Sequence, residues 1–151
     1  MKLDMEILMM RILIDTNILI SAILFPNSKV AKTLIYITQY HNVELCDKNI
    51  CELRDVLSRK KPEKLLYVEI LLTEMSYELI PATYHIEKVI RDAKDQPILN
   101  AAIIADVDII LTGDKDFLCL DLEKPKCMTV NYFLSILQII LNLVVSLILL
   151  K

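Results

Sequence analysis

Short apolar runs alternate with stretches of helical spacing along this chain. MRILI (residues 10–14) is a compact run of branched and straight aliphatics, the pattern of a strand buried on both faces. NILISAIL (17–24) then reads as a helix, with Thr16 and Asn17 as candidate caps and Pro26 as its stop. Residues 28–40 carry Val30, Leu34, Ile35 and Ile37 at helical spacing behind Ser28. VELC (43–46) predicts a second strand. A helix capped by Asp47 follows to about Arg59, with Ile50, Leu53, Val56 and Leu57 on one face. KKPEK breaks the chain, and Pro62 suits the first turn of a helix reaching about Met75. YELIP reads as extended, and residues 84–94 fit no single pattern.

Asp95 and Pro97 then open a helix running to Ala105. VDIILT (107–112) predicts a buried strand, GDKDFLCL a turn into a short helix, and CMTV (127–130) a last strand. Asn131 is placed to cap a long apolar helix. Strands alternating with helices predict a three-layer α/β/α domain with a mostly parallel central sheet, plus that C-terminal helix.

Composition narrows the chemistry. Acidic residues outnumber basic ones, 20 to 17, for a net charge of -3. This argues against a chain held on nucleic acid by bulk charge alone. Four cysteines without CxxC spacing and two isolated histidines, His41 and His85, argue against zinc. Scattered cysteines without a secretory pattern at the start read as buried thiols in a reducing cytoplasm. One glycine, Gly113, excludes glycine-rich phosphate loops.

Against this background, Asp15 interrupts RILIDTNILISAIL where burial of a carboxylate is costly unless it is paired or binds a metal. In parallel sheets, ligands sit beyond the carboxyl ends of strands. Asp15 follows the first strand, and Asp114 and Asp116 follow VDIILT, so the two strands as neighbours bring these acids together. Asp95 starts the helix leading into VDIILT, and Glu52 lies on a helix face among apolar positions. Taken singly, Asp95 reads as a cap, Asp116 as a surface charge and Glu52 as solvated. Taken together, an oxygen-only cluster suits Mg²⁺ or Mn²⁺, and such ions clamp the oxygens of a phosphodiester displacement.

RILIDTNILISA, ELRDVLSR (52–59), RDAKDQPILNAAIIADVDIILTGDKDFL (91–118) and VNYFLSIL (130–137) occur in an order that resembles PIN domains. Among these they resemble the toxin component of type II toxin–antitoxin pairs. The resemblance implies a Mg²⁺- or Mn²⁺-dependent endoribonuclease with an RNA substrate, a protein antitoxin and a common homodimeric state. It implies that Asp15, Glu52, Asp95 and Asp114 hold the catalytic metal, with Asp116 assisting. Asn17 and Thr112 match polar residues that orient these carboxylates. Asp95 fits the spacing to AAIIAD better than its neighbour Asp92. A basic stretch of Arg54, Arg59, Lys60, Lys61 and Lys64, together with Lys115, offers contacts to substrate phosphates, although a charge run also serves as a solvated face. A housekeeping RNA-processing nuclease and a non-enzymatic membrane-associated protein on the same scaffold are the alternatives.

The expected domain spans residues 10–137. Residues 1–9 are expected to form an N-terminal extension, with Met10 as an alternative start. Residues 138–151 (QIILNLVVSLILLK) extend past the family pattern. No charge occurs from Cys127 to Leu150, while Ser135, Gln138, Asn142 and Ser146 form one polar stripe. A membrane helix through residues 133–150, a hydrophobic contact with a partner, and sequence appended by a frameshift or lost stop all fit this pattern.

Overall fold

In the computed structural model, which describes residues 9–84 and 90–151, the apolar runs form five strands. These are β1 (Arg11–Ile14), β2 (Asn42–Cys46), β3 (Glu78–Ile80), β4 (Ile109–Leu111) and β5 (Lys126–Met128). They pair in the order β3-β2-β1-β4-β5, and all four pairings are parallel. Parallel neighbours require crossover connections. The helices are α1 (Thr16–Leu24), α2 (Lys29–Tyr40), α3 (Asp47–Lys60), α4 (Leu65–Glu74), α5 (Gln96–Ile104), α6 (Lys115–Leu118) and α7 (Val130–Leu149).

Side chains alternate across a strand, so each strand feeds two cores. Ile12, Ile14, Val43, Leu45, Ile109 and Leu111 pack with Leu19, Leu34, Leu53, Val68 and Phe133 of α1, α2, α3, α4 and α7. Leu13, Cys46, Ile80 and Ile110 point the other way, onto Ile98, Leu99, Ala102 and Phe117 of α5 and α6. This is the expected three-layer α/β/α arrangement.

Several boundaries differ from the pattern reading, each for a local reason. Asp15 itself is the N-cap of α1, so Thr16 is already helical. Cys46 occupies the cap position of α3. Asp47 Oδ1 instead accepts from the backbone N–H of Lys48 at 2.7 Å and of Ala82 at 2.9 Å. Pro62 opens a single 3-10 turn, Pro62–Lys64, ahead of α4. β4 is shorter than VDIILT because Asp106, at φ 56°, reverses the chain after α5. The Val107 N–H then returns to the carbonyl of Ala102 at 2.9 Å, closing the helix end. α7 is capped by Thr129, whose hydroxyl accepts from the Tyr132 N–H at 3.1 Å, and not by Asn131.

All four cysteines are free. Only Cys46 is buried, while Cys51 and Cys119 are exposed, which corrects the expectation of buried thiols. His41 is buried, its Nδ1 accepts from the Met10 N–H at 3.2 Å, and burial lowers its pKa. It packs edge-on to Tyr36 and Phe133, a structural position. His85 and residues 1–8 lie outside the described residues. In α7 only Val130 and Phe133 are buried. Leu134, Ile136 and Leu137 lean on the core, and the remaining turns run on into the open.

Candidate active site

The strand order puts β1 between β2 and β4, so connections leave its carboxyl end in opposite directions. That is the topological switch point of an open parallel sheet. Pairing of β1 with β4 continues one residue past the strand, where the Asp15 N–H donates to the carbonyl of Leu111 at 3.0 Å. This seats Asp15 beside Thr112, whose hydroxyl donates to Asp15 Oδ2 at 2.6 Å. The same hydroxyl accepts from the Asp114 N–H at 3.0 Å, and Asp114 Oδ1 in turn accepts from the Asp116 N–H at 2.8 Å.

Asp15 is 8% exposed. Its other oxygen, Oδ1, accepts from the Thr16 N–H at 2.9 Å and from Asn49 Nδ2 at 3.2 Å. Asn49 is fully buried in the first turn of α3 and also donates to Thr16 Oγ1 at 2.9 Å. The Thr16 hydroxyl donates onward to Glu52 Oε2 at 3.2 Å, one helical turn after Asn49. Asn49 Oδ1 is buried without a hydrogen-bond partner among the described residues. Among the described residues, Asn17 makes no hydrogen bond to a carboxylate. Its Oδ1 accepts from the Gly113 N–H at 3.4 Å, which shapes the turn carrying Asp114.

A buried polar network positions the remaining acids. Gln96 Oε1 accepts from the Ile90 N–H at 2.9 Å, and Gln96 Nε2 donates to Asn100 Oδ1 at 2.8 Å. Asn100 Nδ2 holds the Thr83 carbonyl at 2.7 Å. This pins the segment 90–96 over the site. Asp95 occupies the N-cap of α5, as its sequence position predicts, yet its side chain makes no capping bond. Its carboxylate joins Asp92 and Asp116, and one oxygen from each of the three lies within 4.8 Å of the others. The sequence reading preferred Asp95 over Asp92; the structure brings in both.

Electrostatics ties the two groups of acids into one site. Burial pushes Asp95 up to about 7, and the negative charges of Asp92, Asp114, Asp15 and Glu52 add to it. Burial also raises Asp15, opposed by its bonds from Thr112 and Thr16 and reinforced by Glu52 and Asp114. Packed anions that raise one another's proton affinity form a site short of positive charge. An all-oxygen donor set with a spare buried amide oxygen fits a hard divalent cation. Glu44 provides the structural contrast. It is also fully buried and raised by burial, but it lies mid-strand and is paired with Arg11 at 3.0 Å.

The expected basic contacts are placed differently. Arg54 forms a two-pronged ion pair with Glu69 on α4, at 2.8 and 3.1 Å. Arg59 pairs with Asp55 at 2.9 Å. Arg59, Lys60 and Lys61 end α3 about 10 Å or more along its axis from Glu52. Of the expected cations Lys115 lies beside the acids, joined there by Arg91 and Lys48. Arg91, 81% exposed, pairs with Asp116. Lys48 reaches the Lys94 carbonyl, and Lys115 is exposed between Asp114 and Asp116. Pattern reading missed Thr16 and Asn49 as supports and Arg91 as the adjacent cation. The spacing of Asn49 and Glu52, three apart on one helix, was the available signal.

Comparison with known proteins agrees with this architecture. The family model described as PIN domain matches residues 11–116. The structure of VapBC2 from Rickettsia felis, bound to a DNA fragment from its promoter, aligns with a TM-score of 0.60 at 18% identity, covering 80% of this chain and 98% of that one. The structure of FitAB bound to the IR36 DNA fragment aligns with a TM-score of 0.57 at 22% identity, covering 79% and 94%. At these identities the likeness is one of fold. No curated protein matches the chain.

Proposed function

The chain belongs to the PIN-domain family, and from that premise we propose that it is a Mg²⁺- or Mn²⁺-dependent endoribonuclease acting as the toxin of a toxin–antitoxin pair. The observation that carries the reading is the convergence of Asp15, Glu52, Asp92, Asp95, Asp114 and Asp116 at the carboxyl ends of β1 and β4. Asp15, Glu52, Asp95 and Asp114 are the residues assigned to hold the cation, with Asp92 and Asp116 completing the set. A divalent cation bound there supplies an activated water and charge neutralisation at the scissile phosphate.

The chain's own residues do the rest. Thr112, Thr16 and Asn49 fix both oxygens of Asp15, leaving that carboxylate little freedom to reorient. Asp95, with an affinity for a proton near neutrality, is suited to exchange that proton for a cation. Arg91, ion-paired with Asp116 and otherwise exposed, is the nearest side chain able to transfer to a substrate phosphate. Lys115 and Lys48 flank it. Arg54 and Arg59, paired with Glu69 and Asp55 on the surface, and Lys60 and Lys61 at the far end of α3 are assigned to phosphates further along the substrate.

The toxin reading assigns a protein antitoxin as partner. An apolar groove of about 650 Å³ between α1, α2 and α4, lined by Ala22, Ile23, Leu34, Ile35, Tyr67 and Ile70, is the surface suited to an antitoxin segment. The fold unit is assigned to residues 10–137 and the extension to 138–151; the last residue of α7 that packs on the core is Leu137.

The decisive test is cleavage of structured and unstructured RNA by the full chain and its Asp95→Asn variant, with Mn²⁺, with Mg²⁺ and with chelator. Metal-dependent cleavage lost in the variant supports the reading. Equal activity in both sinks it. Growth arrest that persists with Asp15→Asn favours a non-enzymatic role. Arrest relieved by the product of an adjacent small gene distinguishes a toxin from a housekeeping nuclease.

A further inference from the structure

We propose that α7 is a membrane anchor, its segment Gln138–Leu150 inserted into the hydrocarbon core of a lipid bilayer while the domain rests at the headgroup surface. This goes beyond the catalytic reading and does not depend on it. At 1.5 Å per residue the segment reaches about 20 Å into a hydrocarbon core ~30 Å thick, a mismatch met by local thinning of the bilayer and by Lys151 extending to the far headgroups.

Its surface suits lipid better than a protein partner. Ile139, Leu141, Leu143, Val145, Leu147 and Ile148 are all exposed. At about 100° per residue they, with Leu137, Ile140 and Val144, cover roughly two thirds of the helix circumference, and Ser135, Gln138, Asn142 and Ser146 fill the remaining stripe. A docking partner covers one apolar stripe of roughly 100°, whereas an apolar arc this wide suits lipid on several sides. The polar residues share hydrogen bonds within the helix, which lowers the cost of placing them in lipid. Ser135 Oγ donates to the Tyr132 carbonyl at 2.7 Å, and Ser146 Oγ to the Asn142 carbonyl at 2.8 Å. Gln138 Nε2 donates to Asn142 Oδ1 at 3.0 Å. In hydrocarbon, polar groups lacking internal partners are costly.

Charges mark the two boundaries. Lys124 and Lys126 precede the uncharged stretch and Lys151 follows it. Where α7 leaves the core, the angle between it and α2 is lined by Lys29, Lys32 and Tyr36 opposite Leu137 and Ile140. Lys29 Nζ donates to Asn131 Oδ1 at 3.5 Å. Cations and an aromatic ring at that level match anionic headgroups and the interfacial belt. Lysines on the domain side orient the domain toward the cytoplasm.

The test uses the full chain, purified in detergent and transferred to vesicles of phosphatidylethanolamine and phosphatidylglycerol. The chain contains no tryptophan, so Val145→Trp gives a single reporter. The expected result is flotation with lipid, resistance to carbonate extraction, and a blue-shifted emission quenched by lipids brominated in their acyl chains. Leu143→Arg with Leu147→Arg, both at exposed positions, should lower the vesicle-bound fraction at least about a hundredfold with an unchanged circular-dichroism melt. The proposal is overturned if the parent chain stays in the aqueous fraction, or if the doubly charged variant floats equally well. It is also overturned if the reporter is shielded without lipid in a discrete soluble oligomer, which would make a second copy the occupant.

Discussion

α5 and α7 are both helices without a charged residue, yet they meet opposite fates. α5 buries seven of its nine residues, and α7 buries two of its twenty. α5 connects β3 to β4, so the crossover lays it on the sheet and its apolar surface becomes core. α7 leaves β5 at the sheet edge and touches the core only through its first turns. Apolar composition creates a demand for burial, and topology decides whether the chain meets it by itself. The same placement anchors the start of α5, where its buried body holds Asp95 beside Asp92 and Asp116 in the candidate site.

The largest effect that tests this contrast lies at that end. Asp95→Asn should reduce RNA cleavage by ~10²–10⁴-fold while leaving the melting temperature no lower, since the change removes a charge that burial disfavours. A cooperative loss of structure in that variant would make Asp95 a fold determinant and break the division. Next, Leu99→Ala inside α5 should cost about 2–5 kcal/mol in urea unfolding, whereas Leu147→Ala in α7 should stay within about 0.5 kcal/mol. Equal costs would mean that α7 is covered in the free chain. Thr112→Val removes the hydroxyl bonded to Asp15 and should weaken Mn²⁺ binding, read by calorimetry, by ~10–100-fold.

A smaller effect follows from protonation. Asp95 titrates near 7 in the folded chain against an ordinary value of 3.8. Between those values the folded state holds a proton that the unfolded state has released. Stability from this group is therefore complete at or below the ordinary value and is lost as pH rises through about 7. Without cations, the contribution of Asp95 lowers the melting temperature as pH rises from about 5 to about 8. Divalent cation should recover more stability at the higher pH, and an Asp95→Asn chain should show less of both trends. The smallest effect is expected at Arg54→Ala, which should lower cleavage only slightly because that guanidinium is held by Glu69.

The sheet and its acids were legible because each relevant carboxylate sits where an apolar period ends. Asp15 and Asp114 stand at strand ends, and Asp95 stands at a helix start. The supports were not legible, since Asn49 and Thr16 look like ordinary polar residues until α3 is folded against β1. Spacing favoured Asp95 over Asp92 but could not show that the turn between them lets both face Asp116. The partners of the basic run were legible only in part: Asp55 and Arg59 are four apart, the spacing of helical neighbours that pair, whereas the Arg54–Glu69 pair needs α3 and α4 folded together. Cap positions slipped by one or two residues wherever neighbouring polar side chains competed, as at Asp15–Thr16 and Thr129–Asn131.

The bond between Thr112 and Asp15 joins residues 97 positions apart. A ribosome takes about 5 to 20 seconds to travel that distance. Throughout that interval the nascent chain carries the first carboxylate without the last, so an interrupted or truncated product has no complete centre. Synthesis itself thereby acts as a timer: the cell meets the assembled acid cluster only after the segment that closes it has emerged and folded.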